Sequence, residues 1–238
     1  MAARRTLYGR RQGRPLRAGR KALLEAALPP LEIALPDEGG RLDPAVLFDP
    51  PPAELYLEIG FGGGEHLAWQ ARRHPAAGFL AAEYFITGVA SLLGQLEAAE
   101  PAARPAPLRL YIGDARDLLE CLPAAVLDRV FILFPDPWPK RRHHKRRLIQ
   151  AETVAQLARV LKDGGELRFA TDDAGYLAWA LERLTAAPAL AWQVAGPADW
   201  RRRPDDWPAT RYEEKALAAG RRPAYLRFLR RPRGGAEG

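Results

Sequence analysis

The chain has 238 residues, enough for one large domain or one domain with an appendage. An apolar content of 47% suits a sizeable core, while 36 Lys+Arg against 29 Asp+Glu leave a net charge of +7. A single cysteine, Cys121, excludes an internal disulfide and a zinc site of several cysteines, and no apolar run approaches the roughly 18 residues of a membrane span. Its leucine neighbours Leu119 and Leu122 read Cys121 as a small buried residue rather than a nucleophile. The basic N-terminus lacks the apolar stretch of a secretory signal, so a reducing, cytoplasmic setting is expected.

The positive charge is clustered. Met1 to Lys21 holds eight Arg/Lys and no acid, and further clusters fall at Lys140–Arg147, Arg201–Arg203 and Arg221–Arg233. The first 21 residues read as an arm that orders on a phosphate backbone, with a plain solvated tail as the alternative. A short helix, Lys21–Ala27, is cut off by Pro29-Pro30. A Pro/Gly-rich passage follows, with a brief strand near Leu31–Ala34.

From Glu54 strands alternate with helices. Leu55–Ile59 reads as a buried strand, Gly60-Phe61-Gly62-Gly63-Gly64 as a tight turn, and Glu65–Arg73 as a helix ended by Pro75. Gly78–Ala82 is a second strand closed by Glu83. Ile86, Val89, Leu93 and Leu96 recur at helical spacing, which predicts a helix over Ile86–Ala99, and a Pro/Ala linker follows. Leu108–Ile112 is the third strand, with Asp114 just past it, and Ala115–Leu122 is a short helix. Asp128–Phe134 is the fourth strand, and His143–Lys162 is predicted as the longest helix, closed by Asp163-Gly164-Gly165. Strand Glu166–Ala170 ends at Thr171-Asp172-Asp173; helix Ala174–Leu184, strand Leu190–Val194, a polar segment Asp199–Gly220 and strand Tyr225–Leu229 complete the order. Such alternation implies an α/β fold with a mostly parallel, doubly wound sheet. The expected organisation is a basic arm over residues 1–50, one domain over 51–232 and a frayed tail over 233–238.

Ligands of such sheets sit beyond the carboxyl ends of the strands. Here those ends carry Glu58, Glu83, Asp114, Asp136 and Asp172. One such acid is an ordinary solubilising cap, but five on successive strands point to a shared crevice. The turn E-I-G-F-G-G-G admits a ligand where any Cβ would collide, and Glu83 lies at the distance of a ribose-binding carboxylate. The dinucleotide fingerprint fails, because Glu65 stands at its third glycine position, and no G-K-[ST] phosphate loop exists. A nucleoside without phosphates fits better. S-adenosylmethionine is one, its cations suited to an acidic pocket, with Asp114 placed to take an adenine edge.

The stretch V-F-I-L-F-P-D-P-W-P-K-R-R-H-H-K-R-R, Val130 to Arg147, runs from a buried strand into a stiff loop and then a cationic run. Prolines on both sides of Asp136 hold its carboxylate off any helix. Cations at a helix start would oppose the helix dipole, which a bound phosphate would offset, so the run reads as a surface for RNA rather than a solvated face. His143 and His144 belong to that patch; nothing in the spacing supports a metal site. Trp138 has two readings, a base-stacking platform or a wall that buries the loop.

These motifs resemble the bacterial tRNA (guanine-N7)-methyltransferases. L-E-I-G-F-G-G-G-E-H-L at Leu57–Leu67 is similar to the family's cofactor turn, and F-P-D-P-W-P-K-R-R-H-H-K-R-R-L at Phe134–Leu148 to its signature. A-T-D at Ala170–Asp172 and T-R-Y-E at Thr210–Glu213 resemble its later substrate motifs, and R-R-Q-G-R at Arg10–Arg14 its basic arm. The resemblance implies a Rossmann-like class I fold, dependent on S-adenosyl-L-methionine, with helices on both faces of the sheet. It implies methylation at N7 of a guanine, position 46 in the tRNA variable loop, by a monomer or homodimer with no metal and no membrane partner. By the same likeness Glu58, Gly60, Gly62, Glu83, Asp114 and Asp136 bind the cofactor, Asp136 is catalytic, and Lys140, Asp172, Thr210, Arg211, Tyr212 and Glu213 contact the RNA. A departure is Glu83-Tyr84-Phe85, where the family often has a histidine or valine after the acid. The competing readings are a methyltransferase for another RNA or a protein, and a non-catalytic RNA-binding protein with a relic pocket.

Overall fold

The structure is a computed structural model that describes residues 7–9, 11–37, 39–98 and 107–234. Residues 1–6, Arg10, the expected Pro/Ala linker and the last four residues of the expected tail lie outside the described residues. The chain divides between Pro123 and Ala124 into two compact units.

The first unit runs α1 (Ala18–Ala27), β1 (Glu54–Ile59), α2 (Glu65–Arg73), β2 (Ala77–Ala82), α3 (Ile86–Glu97), β3 (Leu108–Tyr111) and α4 (Ala115–Cys121). Its strands lie parallel in the order β3-β2-β1, with Glu58 level with Ala81 and Ala82 level with Tyr111. Parallel strands covered by helices need apolar residues on both faces, which is why Leu55–Leu57 and all of β2 are buried. Leu57, Leu67, Phe79, Leu80, Leu92, Leu110 and Leu118 form the dry centre.

Three expectations shift here. The first helix starts at Ala18 rather than Lys21, and the strand expected near Leu31–Ala34 is a single parallel bridge from Glu32 to Leu110. The arm is fastened where it passes α3: Ile86 N donates to the Arg11 carbonyl (2.9 Å), and Gly13 lies against the Phe85 ring.

The second unit runs β4 (Leu127–Leu133), α5 (Ala151–Val160), β5 (Leu161–Thr171), α6 (Ala174–Thr185), β6 (Leu190–Trp192), α7 (Ala198–Arg201), α8 (Arg211–Ala218) and β7 (Ala224–Arg230). Strand order is β4-β5-β7-β6; β4 and β5 are parallel, whereas β7 is antiparallel to both β5 and β6. The polar segment Asp199–Gly220 therefore carries helical turns that composition alone did not reveal.

The long helix expected over His143–Lys162 does not form. Arg141–Arg146 is a 3-10 turn, the chain then extends, and α5 begins only at Ala151. Gln150 causes the break, because its side-chain amide donates to the carbonyls of His144 (2.8 Å) and Arg147 (3.0 Å). At the other end α5 stops at Val160, with Leu161 already extended. Asp163-Gly164-Gly165 is not its cap but a bulge inside β5, where the register jumps from Leu127 opposite Leu161 to Arg129 opposite Glu166. Gly164 has φ +78°, and a Cβ on Gly165 would lie 2.9 Å from the Lys162 carbonyl.

One buried carboxylate organises the charged face of this unit. Glu166 receives Arg168 Nε (2.9 Å), Arg129 Nε (3.0 Å) and Arg227 Nε (2.6 Å), and Arg168 also donates to Asp206 (2.6 Å). Burial by itself would raise the Glu166 carboxyl; Arg168, Arg129 and Arg227 together overrule it and hold it below the usual glutamate value. A depressed folded value means that this stabilisation is complete above the unfolded value and is lost as pH falls toward the folded one. Glu166→Gln should therefore cost about 3 kcal/mol at neutral pH, lowering the melting midpoint by roughly 6–12 °C, and should flatten the acid-side decline of a pH series of melting curves.

Candidate active site

The glycine turn after β1 is built by backbone conformations that need glycine. Gly60, Gly62 and Gly64 have φ of +72°, +55° and +85°, and Gly64 is the N-cap of α2. A Cβ on Gly60 would meet no atom within 4 Å, so packing does not demand glycine there. Its φ does, and the open space beside it suits a ligand edge. Gly60 N donates to the Ala82 carbonyl (2.8 Å), which holds the turn against the end of β2.

Glu83 is the brace. Its Oε2 accepts from Gly62 N (2.8 Å), while Oε1 accepts from Tyr84 N (2.7 Å) and Phe85 N (2.8 Å). One carboxylate thus ties the glycine turn to the start of α3. Two further residues complete the turn, and sequence reasoning passed over both. Gln95 donates to the Gly63 carbonyl (2.6 Å), and Gly88 lets α3 approach so closely that a Cβ there would lie 2.0 Å from the Gly62 oxygen. A glycine inside an amphipathic helix pattern was the available signal for Gly88.

The other two acids of this unit are also engaged by the protein. Glu58 is 3% exposed, and its Oε2 lies 2.7 Å from Nδ1 of His66, whose Nε2 is 3.2 Å from Gln70 Nε2. His66 and Gln70 were missed, although both sit on the face of α2 that meets the core. Asp114 caps α4, accepting from Arg116 N (3.0 Å), and pairs with the Arg116 guanidinium (2.5 Å to NH2). Cys121 at the end of α4 is half-buried rather than buried. Burial, with Glu120 and Asp117 nearby, raises its thiol value, which leaves it a poor nucleophile.

In the second unit the loop after β4 presents Asp136, exposed, between residues of left-handed backbone: φ is +50° at Phe134 and +45° at Trp138. The indole of Trp138 is half-buried, 5.9 Å edge-on from His143 and 5.0 Å from the Arg146 guanidinium. Lys140, Arg141, Arg142 and Lys145 are exposed. Partial loss of solvent, then Arg146, Arg142, Lys140 and Lys145, push His143 below the usual imidazole value, so it adds no charge at neutral pH. The cations do not start an α-helix, so the dipole argument for a phosphate there does not apply. Arg147 departs further from expectation, being buried instead of part of the cationic surface.

Asp172 follows β5, whose end lies beside the Asp136 loop through Phe134 N donating to the Ala170 carbonyl (2.8 Å). It pairs with Arg221 (2.5 Å). T-R-Y-E forms the first turn of α8 as a capping arrangement: Thr210 Oγ1 accepts from Glu213 N (3.2 Å). Glu213 is buried and bonded to the Tyr225 hydroxyl and to Arg203 (3.4 Å). Burial and the Glu213 carboxylate raise Tyr225, which therefore stays protonated as a donor. Arg211 and Tyr212 are exposed, so within this motif an exposed pair lies between two buried residues, Thr210 and Glu213. Among the described residues no group of three or more His, Cys, Asp or Glu could hold a metal ion, and no helix is long and apolar enough to cross a membrane.

The glycine turn at the end of β1 and the acids at successive strand ends are the marks of a Rossmann-like class I methyltransferase. Solved structures share this fold: the 16S rRNA methyltransferase KamB at TM-score 0.52 and 16% identity, covering 76% of this chain and 89% of that one. The 16S rRNA (adenine(1408)-N(1))-methyltransferase of Catenulisporales acidiphilia gives 0.51 at 19% identity, covering 84% and 99%. Residues 52–225 match a family model described as a putative methyltransferase. The tRNA (guanine-N(7)-)-methyltransferase of Rhodospirillum rubrum is 54% identical over 228 residues, 95% of this chain and 88% of that one. Its counterpart from Paramagnetospirillum magneticum is 47% identical over 98% and 95%. The chain belongs to the tRNA (guanine-N7)-methyltransferase family.

The closeness of Gly88 to Gly62 yields a test. Gly88→Ala must push α3 away from the turn, so S-adenosyl-L-methionine binding measured by calorimetry should weaken at least tenfold, with a lower melting midpoint.

Proposed function

We propose that this protein transfers a methyl group from S-adenosyl-L-methionine to N7 of a guanine, position 46 in the variable loop of tRNA, and acts in the cytoplasm. The observation that carries the reading is that the first unit holds a braced glycine turn and the second an exposed, proline-flanked acid followed by solvent-facing cations. Residues 51–232 carry the chemistry, and the basic N-terminal arm adds RNA contacts.

When bound, S-adenosyl-L-methionine supplies an electrophilic methyl on a sulfonium, which leaves as a neutral thioether while N7 takes the methyl and the positive charge. The residues fit such a group. Glu83 would hold the ribose, Asp114 the adenine edge, and Glu58 the amino-acid end through the oxygen that does not face His66. The left-handed turn at Gly60 and Gly62 keeps side chains out of the way, and it presents no demand for a pyrophosphate.

Guanine N7 carries a lone pair and no proton, so the protein needs no strong base. Its work is positioning and charge stabilisation. Asp136 accepts hydrogen bonds from N1–H or the exocyclic amine of guanine and steadies the cation that forms on the purine. Lys140 with its exposed neighbours, Asp172, and the Thr210–Glu213 turn carry the RNA. In the last of these Thr210 and Glu213 shape the helix start, and Arg211 and Tyr212 meet the polynucleotide.

Incubation with labelled methyl donor and unmodified tRNA, followed by mapping of the methylated nucleotide, tests the assignment. Label at N7 of guanine 46 is expected, and Asp136→Asn should slow it by about 10²-fold or more. Several phosphate contacts should weaken tRNA binding about 10³-fold between roughly 50 and 200 mM salt. Label on another base, or wild-type turnover by Asp136→Asn, would refute the scheme.

A further inference from the structure

Arg147 closes the cationic run, yet it faces the interior. It is 3% exposed, with Nε donating to the Pro137 carbonyl (2.7 Å) and NH1 to the Gly175 carbonyl (3.2 Å). Its guanidinium lies over the rings of Tyr176 (5.0 Å) and Trp179 (5.2 Å). Burial pulls the guanidinium below its usual value, against the nearby negative charge of Asp173, the N-cap of α6. Two segments thus meet on one side chain: the loop that carries Asp136, through the Pro137 carbonyl, and α6, through its first turn at Gly175 and its aromatic face.

The backbone just after Arg147 is fastened to the same helix. The Tyr176 hydroxyl accepts from Ile149 N (3.2 Å), and Trp179 Nε1 donates to the Ile149 carbonyl (2.7 Å). Tyr176 is fully buried and pushed up to about 12, chiefly by burial, so it remains a neutral partner. If only space filling were needed, an apolar side chain would serve, and burying a guanidinium would be a net cost. A planar fork that donates to two separate carbonyls while stacking on aromatic faces is a task for arginine, and a lysine ammonium cannot reproduce it.

We propose that Arg147 is a positioning residue for methyl transfer. Through the Pro137 carbonyl it sets the place of the Asp136 carboxylate, and it makes no phosphate contact, unlike the exposed cations before it in the chain. This rests on the reading of Asp136 as the guanine-orienting acid.

The test is a double-mutant cycle with Arg147→Lys and Asp136→Asn, read by single-turnover methylation of tRNA and by tRNA affinity across a salt series. Misplacing Asp136 should slow Arg147→Lys about 10- to 100-fold, leave KM for tRNA and the salt slope unchanged, and leave the double variant no slower than Asp136→Asn alone. A wild-type rate for Arg147→Lys, rate losses that simply multiply, or a salt slope reduced by about one would each overturn the proposal, the last by making Arg147 a phosphate ligand. A wild-type rate for Asp136→Asn would instead remove the Asp136 assignment on which the proposal stands. Should Arg147→Lys fold poorly, Arg147→Ala with added guanidinium replaces it. Rescue of the rate at constant tRNA affinity supports the role, and absence of rescue overturns it.

Discussion

The three amide hydrogen bonds accepted by Glu83 hold the first unit's site together. Within the turn Gly64 N donates to the Phe61 carbonyl (2.9 Å). The rest of its geometry is set by neighbours: by β2 through Gly60, by Glu83 through Gly62, and by α3 through Gln95 and the close approach of Gly88. A carboxylate so supplied with donors stands in a fixed place before any ligand arrives. The ribose-binding role expected of Glu83 and its structural role are two uses of one side chain.

The same economy runs through both units. Glu58 is bonded to His66, Asp114 to Arg116, Asp172 to Arg221 and Glu213 to Tyr225. Each acid at a strand or helix end is oriented by a partner on the element that follows it or packs beside it. Asp136 differs: it is exposed on a loop whose shape is set by prolines and by the grip of Arg147 on the next carbonyl. Preorganised acids suit the binding of a cofactor, and a solvent-facing acid suits a large substrate that must arrive from outside.

Much of this was legible in the sequence, because it rests on local rules. Buried strands announce themselves as apolar runs, and the turns after them as glycine, proline and acid. The strand-end acids and the glycine turn were found where those rules put them. The failures over helix bounds come from hydrogen bonds and strand pairing that the spacing of apolar residues does not encode. Leu148, Ala155, Ala158 and Leu161 are spaced as one helical stripe, yet Gln150 claims two carbonyls and breaks the helix before Ala151. Gly164-Gly165 looked like a helix end, but a strand bulge needs the same residues. Charge misled in a different way: Arg147 is indistinguishable in sequence from the cations before it, and only the rings of Tyr176 and Trp179 and the Pro137 carbonyl draw it inward.

Phe134 and Trp138 bracket Asp136 with two left-handed side-chain-bearing residues, a conformation that costs each of them about 1–2 kcal/mol. Glycine at either position would remove that burden, and a search for heat-resistant variants would favour it. The relaxed loop would then sample more shapes around Asp136, so a gain in durability would come with a less firmly placed carboxylate.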